Sequence, residues 1–210
     1  MALTYPLPFD VLANCLTGPE IEPQLKRFDE MSGAGDGRHW AAQMADPLWT
    51  ASYDLYARPV DDARRINALV NSLDGPSKTF LWMNPYYTGP AAGLKAASAA
   101  TVSGIRAADR GAVALAGLAP GQVITAGDYI GMQYAGRYYM GQFAEGGTAN
   151  ANGDLAQREL RPYLPIGLNV GAAVELLKPV FTAMVIDYKP FKIYRDFSTS
   201  TASITLMQKP

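Results

Sequence analysis

Short strand-like segments, separated by glycine, proline and asparagine turns, recur roughly every ten residues through the second half of the chain. The predicted strands are 101–107, 112–118, 129–134, 137–143, 157–160, 173–177, 181–188 and 203–207. Turns this closely spaced leave no room for the crossover helices that parallel sheets require. The chain is therefore expected to be mainly β, with the architecture of a β-sandwich or barrel.

The first half of the chain has one clear strand after a loop-rich start. Residues 48–56 alternate between apolar and polar side chains, as expected of a strand with one face in water. Residues 38–44 predict a short strand before it, and the Asp-Pro pair at 46–47 predicts a turn between the two. Residues 1–37 contain four prolines and the glycine cluster 33–37, which together predict loop structure and a flexible connector.

One helix is predicted, over residues 60–74. Its acidic residues lie in the first turn, and Gly75 before a proline ends it. The apolar stripe along one face consists of Ile66, Leu69, Val70 and Leu73. Arg64 and Arg65 begin the opposite face and are predicted to meet solvent or a neighbouring chain. A buried strand is predicted after the helix, over residues 79–83.

Composition limits the chemistry that the chain can perform. Its 210 residues carry a net charge of −1, which argues against binding to nucleic acid phosphates. No apolar run approaches the roughly 20 residues of a membrane-spanning helix. The single cysteine, Cys15, has no partner for a disulfide, and the single histidine, His39, has no neighbouring nucleophile motif. We therefore predict no catalytic, cofactor-binding or metal-binding residues.

Two tyrosine doublets are the main candidates for surface contacts. In each doublet, at 86–87 and at 138–139, alternation along a strand turns one ring inward and the other outward. An exposed tyrosine is common at protein interfaces and sugar-binding surfaces, although it can equally cover a neighbouring strand. Tyr138 and Tyr139, with the Gly/Asn-rich loop 145–154, are the predicted contacts for a glycan.

A catalytic alternative uses Glu159 and Glu175, which lie on different predicted strands. If the fold brought them together, they could form the carboxylate pair of a glycosidase. Nothing in the sequence places them side by side, and no nucleophile–base pair accompanies them. The prediction is that the chain is not an enzyme.

Three segments occur in an order and at a spacing that resemble a known family. Residues 47–85 contain a Leu-Trp strand, a helix ending in Leu-Asp-Gly and an apolar strand ending in Asn-Pro. Residues 115–143 contain a Gly-Asp-Tyr strand and a short hairpin, and residues 159–177 combine Leu-Arg-Pro with Gly-Ala-Ala-Val-Glu-Leu. Together they resemble the distal tail proteins of long-tailed bacteriophages and prophages.

The resemblance implies a layout of two β domains. A ring-forming domain, a β-sandwich or barrel that carries the helix, would comprise residues 1–88 together with 180–210. An OB-like or galectin-like β domain, residues 89–179, would be inserted between these two parts. The alanine-rich segment 89–100 would lead into the inserted domain, and the chain would return to the ring-forming domain near Pro179.

The resemblance also implies a structural role in the virion. Distal tail proteins form a six-membered ring that joins the end of the tail tube to the hub and tip proteins. The expected partners are therefore further copies of the chain in a homo-hexamer, the tail tube protein, and the hub or tip proteins, with Arg64 and Arg65 as candidate contacts. The chain would be made in the host cytoplasm and would reside at the distal end of the tail. The alternative is a carbohydrate-binding module at the tail tip, with host surface glycans as its partners.

Overall fold

The computed structural model describes residues 3–8, 12, 16–17, 22–33, 35, 37–57, 60–95, 99–196 and 198–209. In chain order, the described strands are β1 (Leu16–Thr17), β2 (Gln24–Gly33), β3 (His39–Leu55), β4 (Phe80–Trp82), β5 (Thr101–Ile105), β6 (Ala112–Ala116), β7 (Val123–Ile124), β8 (Tyr129–Tyr134), β9 (Arg137–Phe143), β10 (Gly147–Thr148), β11 (Leu155–Arg161), β12 (Val174–Glu175), β13 (Phe181–Lys189) and β14 (Ala202–Gln208). Helix α1 (Val60–Asn71) lies between β3 and β4. The predicted mainly β class is confirmed.

The first sheet joins strands from both ends of the chain. Its order is β1-β3-β14-β13-β4, with every pair antiparallel, and β2 pairs with β3 on the same edge as β1. Beyond β4, Leu7 forms a parallel bridge with Phe80. The strands of this sheet therefore come only from before residue 83 and after residue 180. The exact domain boundaries, after residues 88 and 179, stay a prediction.

The second sheet consists of strands from the middle of the chain. Its order is β12-β8-β9-β11-β6-β5, again antiparallel, and β7 pairs separately with β10. The N–H of Val102 donates to Ala172 O at 3.0 Å, and that of Val174 donates to Ala100 O at 2.9 Å, so β5 approaches β12. This approach is an isolated bridge and not a ladder, so the described strands do not form a closed barrel.

Helix α1 buries one face in the same core as the first sheet. The buried residues on this face are Ala63, Ile66 and Val70. The Asn67 side chain ties the helix to the segment after β13, because its amide donates to Phe191 O and its Oδ1 accepts from Phe191 N–H, both at 3.1 Å. The helix ends at Asn71 and not at residue 74, because the N–H groups of Leu73 and Asp74 donate to carbonyls three residues earlier, those of Val70 and Asn71, both at 3.1 Å. Asp74 and Gly75 then adopt left-handed backbone conformations with φ of 50° and 64°.

The two sheets have separate cores that meet at one junction. The first core includes Leu55, Ile66 and Phe181, and the second includes Leu115, Phe143 and Leu160. Tyr129 and Met140 belong to strands of the second sheet, yet both pack in the first core. Trp49 of β3 meets both, because its Nε1–H donates to Met140 O at 2.7 Å and its ring packs edge-to-face on Tyr129. This contact fixes how the two sheets lie against each other.

The predicted turn at residues 46–47 is wrong, because β3 runs unbroken through Pro47. Proline cannot donate to a strand ladder and is tolerated where the ladder is irregular. Such an irregularity lies opposite Pro47, where the register of β2 shifts between Lys26 and Phe28. The missing N–H of Pro47 therefore does not interrupt the strand.

The prediction of loop structure over residues 1–37 is also wrong, because this segment contains β2. Its large apolar residues, Leu25, Phe28 and Met31, occur at every third position and not at every second. Both register shifts in the β2–β3 ladder place their extra residue in β3, so Leu25 and Met31 lie on one face of β2 and Phe28 lies on the other. The sequence therefore lacks the period-two pattern by which a strand is recognised.

Replacing Trp49 with phenylalanine is expected to weaken the junction between the sheets. The variant lacks the indole N–H that donates to Met140 O and leaves unfilled space beside Tyr129. We expect the free energy of unfolding to fall by about 2–3 kcal/mol, as measured by urea denaturation. Trp40→Phe, at a position that is 70% exposed, is the matched control and should change it by less than about 0.5 kcal/mol. Equal losses in the two variants would contradict this account.

Candidate functional site

The outer half of the β2–β3 hairpin, residues 26–46, projects beyond the first sheet, and we call it the ribbon. β14 pairs with β3 only over residues 50–55, whereas β2 follows β3 back to its first residue. The exposed residues 39–46 of β3 therefore extend roughly 25 Å beyond the buried part of the strand at the usual rise per residue. Every described residue of the ribbon is exposed except Phe28, which is half-buried.

Three large apolar side chains lie on one face of the ribbon, together with Glu30 and Ser32, which pair with Ala42 and Trp40. Alternation along the two strands places Trp40 and Met44 of β3 on the same face as Phe28 of β2. Trp40 is 70% exposed and Met44 is 66% exposed, so most of each side chain is in contact with water. Large apolar side chains that group on an exposed surface are typical of a binding surface for another protein.

The ribbon also has unpaired backbone groups along both of its edges. Among the strands that the structure describes, β2 pairs only with β3, and the opposite edge of β3 has no partner before residue 50. A two-stranded ribbon is marginally stable in water, and an open edge can accept a further strand. A neighbouring chain that packed on the ribbon would therefore stabilise it.

The glycine cluster 33–37 connects the two strands at the tip of the ribbon. Gly35 and Gly37 have φ of 76° and 85°, a backbone conformation that glycine adopts without strain. His39 begins β3 directly opposite Gly33 and is exposed. Residues 34 and 36 of this cluster lie outside the described residues.

The outer face of helix α1 carries the two predicted contact arginines. Arg64 and Arg65 are both exposed, as the helical periodicity predicts. Arg64 Nη1 lies 3.0 Å from Asp61 Oδ1, and Arg65 Nε lies 3.5 Å from Asp62 Oδ1. Such exposed pairs contribute little to stability, so both guanidinium groups can exchange these partners for groups on another chain.

The predicted tyrosine platform is not present. Tyr139 is buried and its hydroxyl donates to the carbonyl of Pro162, so it forms no surface contact. Tyr138 is half-buried, and its backbone N–H donates to Thr182 Oγ1 at 3.3 Å. The loop 145–154 follows the opposite end of β9, ~16 Å along the strand from Tyr138. These elements therefore do not form one surface.

Glu159 and Glu175 do not have the geometry of a glycosidase pair. β8 and β9 separate their strands in the second sheet, which places them roughly 14 Å apart or more, whereas glycosidase carboxylates are about 5–9.5 Å apart. The hydrogen bond from Arg106 lowers the pKa of Glu159 from its ordinary value. A general acid at neutral pH requires the opposite shift.

The described residues contain neither a metal-ligand cluster nor a helix that could span a membrane. None of the His, Cys, Asp and Glu residues among them form a group of three or more that could hold a metal ion. None of the helices in this part of the chain has the length and apolar character needed to cross a bilayer. Cys15 lies outside the described residues.

A cleft of about 580 Å³ opens where the two sheets meet, and we call it the junction cleft. The segment around the start of β2, the connection after β4 and the start of β8 contribute its walls. Its lining includes Glu22, Trp49, Tyr86, Tyr87, Tyr129 and Gln142. The volume lies in the range of small-molecule binding sites. The cleft contains the first tyrosine doublet, which the sequence identified as a surface candidate.

Hydrogen bonds hold the junction cleft in place. The Tyr129 hydroxyl donates to Glu22 Oε2 at 2.7 Å, and the Tyr129 N–H donates to the Tyr87 hydroxyl at 3.1 Å. Burial raises the pKa of Tyr87 to about 12, so its hydroxyl stays protonated near neutral pH. Asp128 is buried and accepts from the N–H groups of Ala91 and Thr125 at 2.8 and 2.7 Å.

Comparison of the sequence with models of known protein families finds no match, and comparison with curated proteins finds none. A role for the chain therefore has to be inferred from its own residues and geometry.

The ion pairs around Arg106 should make stability depend on pH in the acid range. Arg106 Nε and Nη2 donate to the two carboxylate oxygens of Asp109 at 2.7 and 2.8 Å, which lowers the pKa of Asp109 from 3.8 to about 2. Because the folded chain holds this carboxylate ionised, the stabilisation is present above pH ~4 and is lost as the pH falls towards 2.

Thermal melts of the wild type and of Asp109→Asn between pH 5 and about 2 test this dependence. The midpoint of the wild type is expected to fall more steeply with acid than that of the variant. Arg106→Gln, which removes the partner of Asp109, should flatten the curve in the same window. Parallel curves for the wild type and Asp109→Asn would show that this ion pair makes no contribution.

Proposed function

We propose that the chain is a structural protein of a phage tail, a distal tail protein that assembles into a ring, with six copies as in the family it resembles. The ring would join the tail tube to the hub or tip proteins. The observation that supports an assembly role most directly is the ribbon, with the apolar side chains of Trp40 and Met44 in water. In a monomer these apolar side chains stay exposed to water, which gives no stabilisation. In an assembly a neighbouring subunit would bury them.

The shape of the ribbon favours a head-to-tail contact between copies. A projecting arm that packs on the body of the next copy meets a different surface there, which makes the contact heterologous. Heterologous contacts close into a ring when the rotation between neighbours divides a full turn. Each copy then contributes one ribbon and receives another, and ring closure strengthens contacts that are weak individually.

The charges of the ribbon are compatible with contact between identical chains. Lys26 and Arg27 are balanced by Asp29 and Glu30 on the same strand. Arg27 Nε also donates to Asp29 Oδ2 at 2.7 Å, so part of this charge is already paired. Copies of the chain therefore approach without strong repulsion at this surface.

Replacing Trp40 with serine is expected to disrupt assembly without disturbing the fold, because the side chain is exposed. A central tryptophan contributes about 2 kcal/mol or more to a typical interface, which corresponds to a roughly 30-fold weaker contact. Size-exclusion chromatography with light scattering, over a series of protein concentrations, measures the mass. Negative-stain electron microscopy of the concentrated wild type should show rings of about six subunits.

Tyr194→Ser is the matched control, since Tyr194 is 51% exposed and lies outside the ribbon. This variant should assemble as the wild type does. Circular dichroism of all three proteins verifies that the fold is retained. A wild type that stays monomeric at every concentration, or one that assembles equally well without Trp40, would contradict the role of the ribbon.

A further inference from the structure

The junction cleft presents one aromatic face to solvent. The Tyr86 side chain is 59% exposed, and its backbone is held by the Asn84 side chain, whose Oδ1 accepts from Tyr86 N–H at 3.0 Å. Asn84 itself is buried, so the turn that carries Tyr86 is anchored in the protein. The Tyr86 ring is therefore displayed from a fixed point at the edge of the cleft.

The other rings of the junction cleft are packed against one another. Tyr87 and Tyr129 meet at 82° with centroids 5.2 Å apart, and Trp49 and Tyr129 meet at 71° with centroids 5.8 Å apart. Edge-to-face packing of this kind uses the ring faces inside the protein. These rings do not surround a central space, as the aromatic cages that bind ammonium groups do. The packed rings of Trp49, Tyr87 and Tyr129 therefore form a fixed wall of the cleft. The ring of Tyr86 is the one that this part of the cleft exposes to solvent.

Two polar groups, those of Glu22 and Gln142, line the same cleft as this open ring. Glu22 is exposed, and among the described residues its carboxylate accepts a hydrogen bond from the Tyr129 hydroxyl. A carboxylate has about four lone-pair sites, so it can also accept from a ligand. The Gln142 amide donates to Gly127 O at 3.1 Å, so its own carbonyl oxygen is oriented by that bond. The Glu22 carboxylate and the Gln142 amide oxygen are therefore both suited to accept hydrogen bonds from the hydroxyl groups of a ligand.

The charge of the junction cleft restricts the ligand further. Among the described residues that line it there is no lysine or arginine, whereas Glu22 and Asp128 are acidic. A phosphate, sulfate or carboxylate ligand would meet these carboxylates without a compensating cation. The ligand that fits an apolar ring face beside hydrogen-bond acceptors is neutral and rich in hydroxyl groups.

We propose that the junction cleft binds a neutral saccharide. The C–H face of one sugar ring packs on Tyr86, and a hydroxyl of the same or the next sugar donates to the Glu22 carboxylate. This site differs from the glycan surface predicted at Tyr138 and Tyr139, and it is independent of the ribbon. Saccharide binding can therefore fail while ring assembly holds, and the reverse is equally possible.

Isothermal titration calorimetry with three neutral probes, cellotriose, maltotriose and chitotriose, tests the proposal on the full chain. We expect saturable binding of at least one probe, weakened about tenfold or more by Tyr86→Ala and by Glu22→Gln. Tyr86→Phe keeps the ring and should retain binding. Trigalacturonic acid, an anionic trisaccharide, should not bind.

Tyr194→Ala removes an equally exposed tyrosine elsewhere and is the control for nonspecific effects. It should bind the probe as tightly as the wild type, and thermal melts should show that every variant is folded. The proposal is overturned if none of the three neutral probes binds, or if Tyr194→Ala loses as much affinity as Tyr86→Ala. It is also overturned if lysine methyl ester saturates the site and the saccharides do not, because the cleft would then be a cation site.

Discussion

Trp49 is the residue on which both candidate interaction surfaces depend. Its indole N–H donates to Met140 O, its ring packs on Tyr129, and its backbone lies opposite Leu25 of β2. The first two contacts hold the second sheet against the first and form the back of the junction cleft. The third fixes the point at which β2 and β3 leave the sheet as the ribbon. One buried residue therefore positions, through its side chain and its backbone, surfaces that lie in two different directions.

The two halves of β3 differ in burial, one half being exposed and the other covering the core. From Pro47 onward, residues alternate between buried and less buried positions, as they do in a sheet that covers a core. Before Pro47, every residue of the strand is exposed. A strand of ordinary length would end where the core ends, so most of the exposed residues of β3 add nothing to the buried core. The proposed contact with another copy of the chain would account for their apolar side chains.

Most of the strand pattern of the second half could be predicted from the sequence, because its turns contain glycine and its strands alternate with period two. The helix could be predicted because Ile66, Val70 and Leu73 occur at helical spacing and are buried. Residues 38–44 of the ribbon could be predicted as a strand, whereas β2 could not, because Leu25, Phe28 and Met31 lack period-two spacing. The continuity of β3 could not be predicted either, because Pro47 resembles a turn. The orientation of the second tyrosine doublet could not either, because it depends on which face of β9 packs into the core of the second sheet. Tyr139 is buried for that reason, whereas Tyr86 lies in a turn after β4 and is exposed.

The two tryptophans of β3 also show why the two proposed interactions are physically separate. Trp40 and Trp49 are nine residues apart in one extended strand, a distance of ~30 Å. A ligand at the junction cleft therefore does not touch Trp40 on the ribbon. The free-energy changes caused by substitutions at the two sites should add, unless the strand itself transmits a change from one site to the other. Any departure from additivity would measure a coupling free energy between saccharide binding and ring assembly. Such coupling is reciprocal: if a bound saccharide strengthened ring assembly, assembly would strengthen saccharide binding by the same free energy.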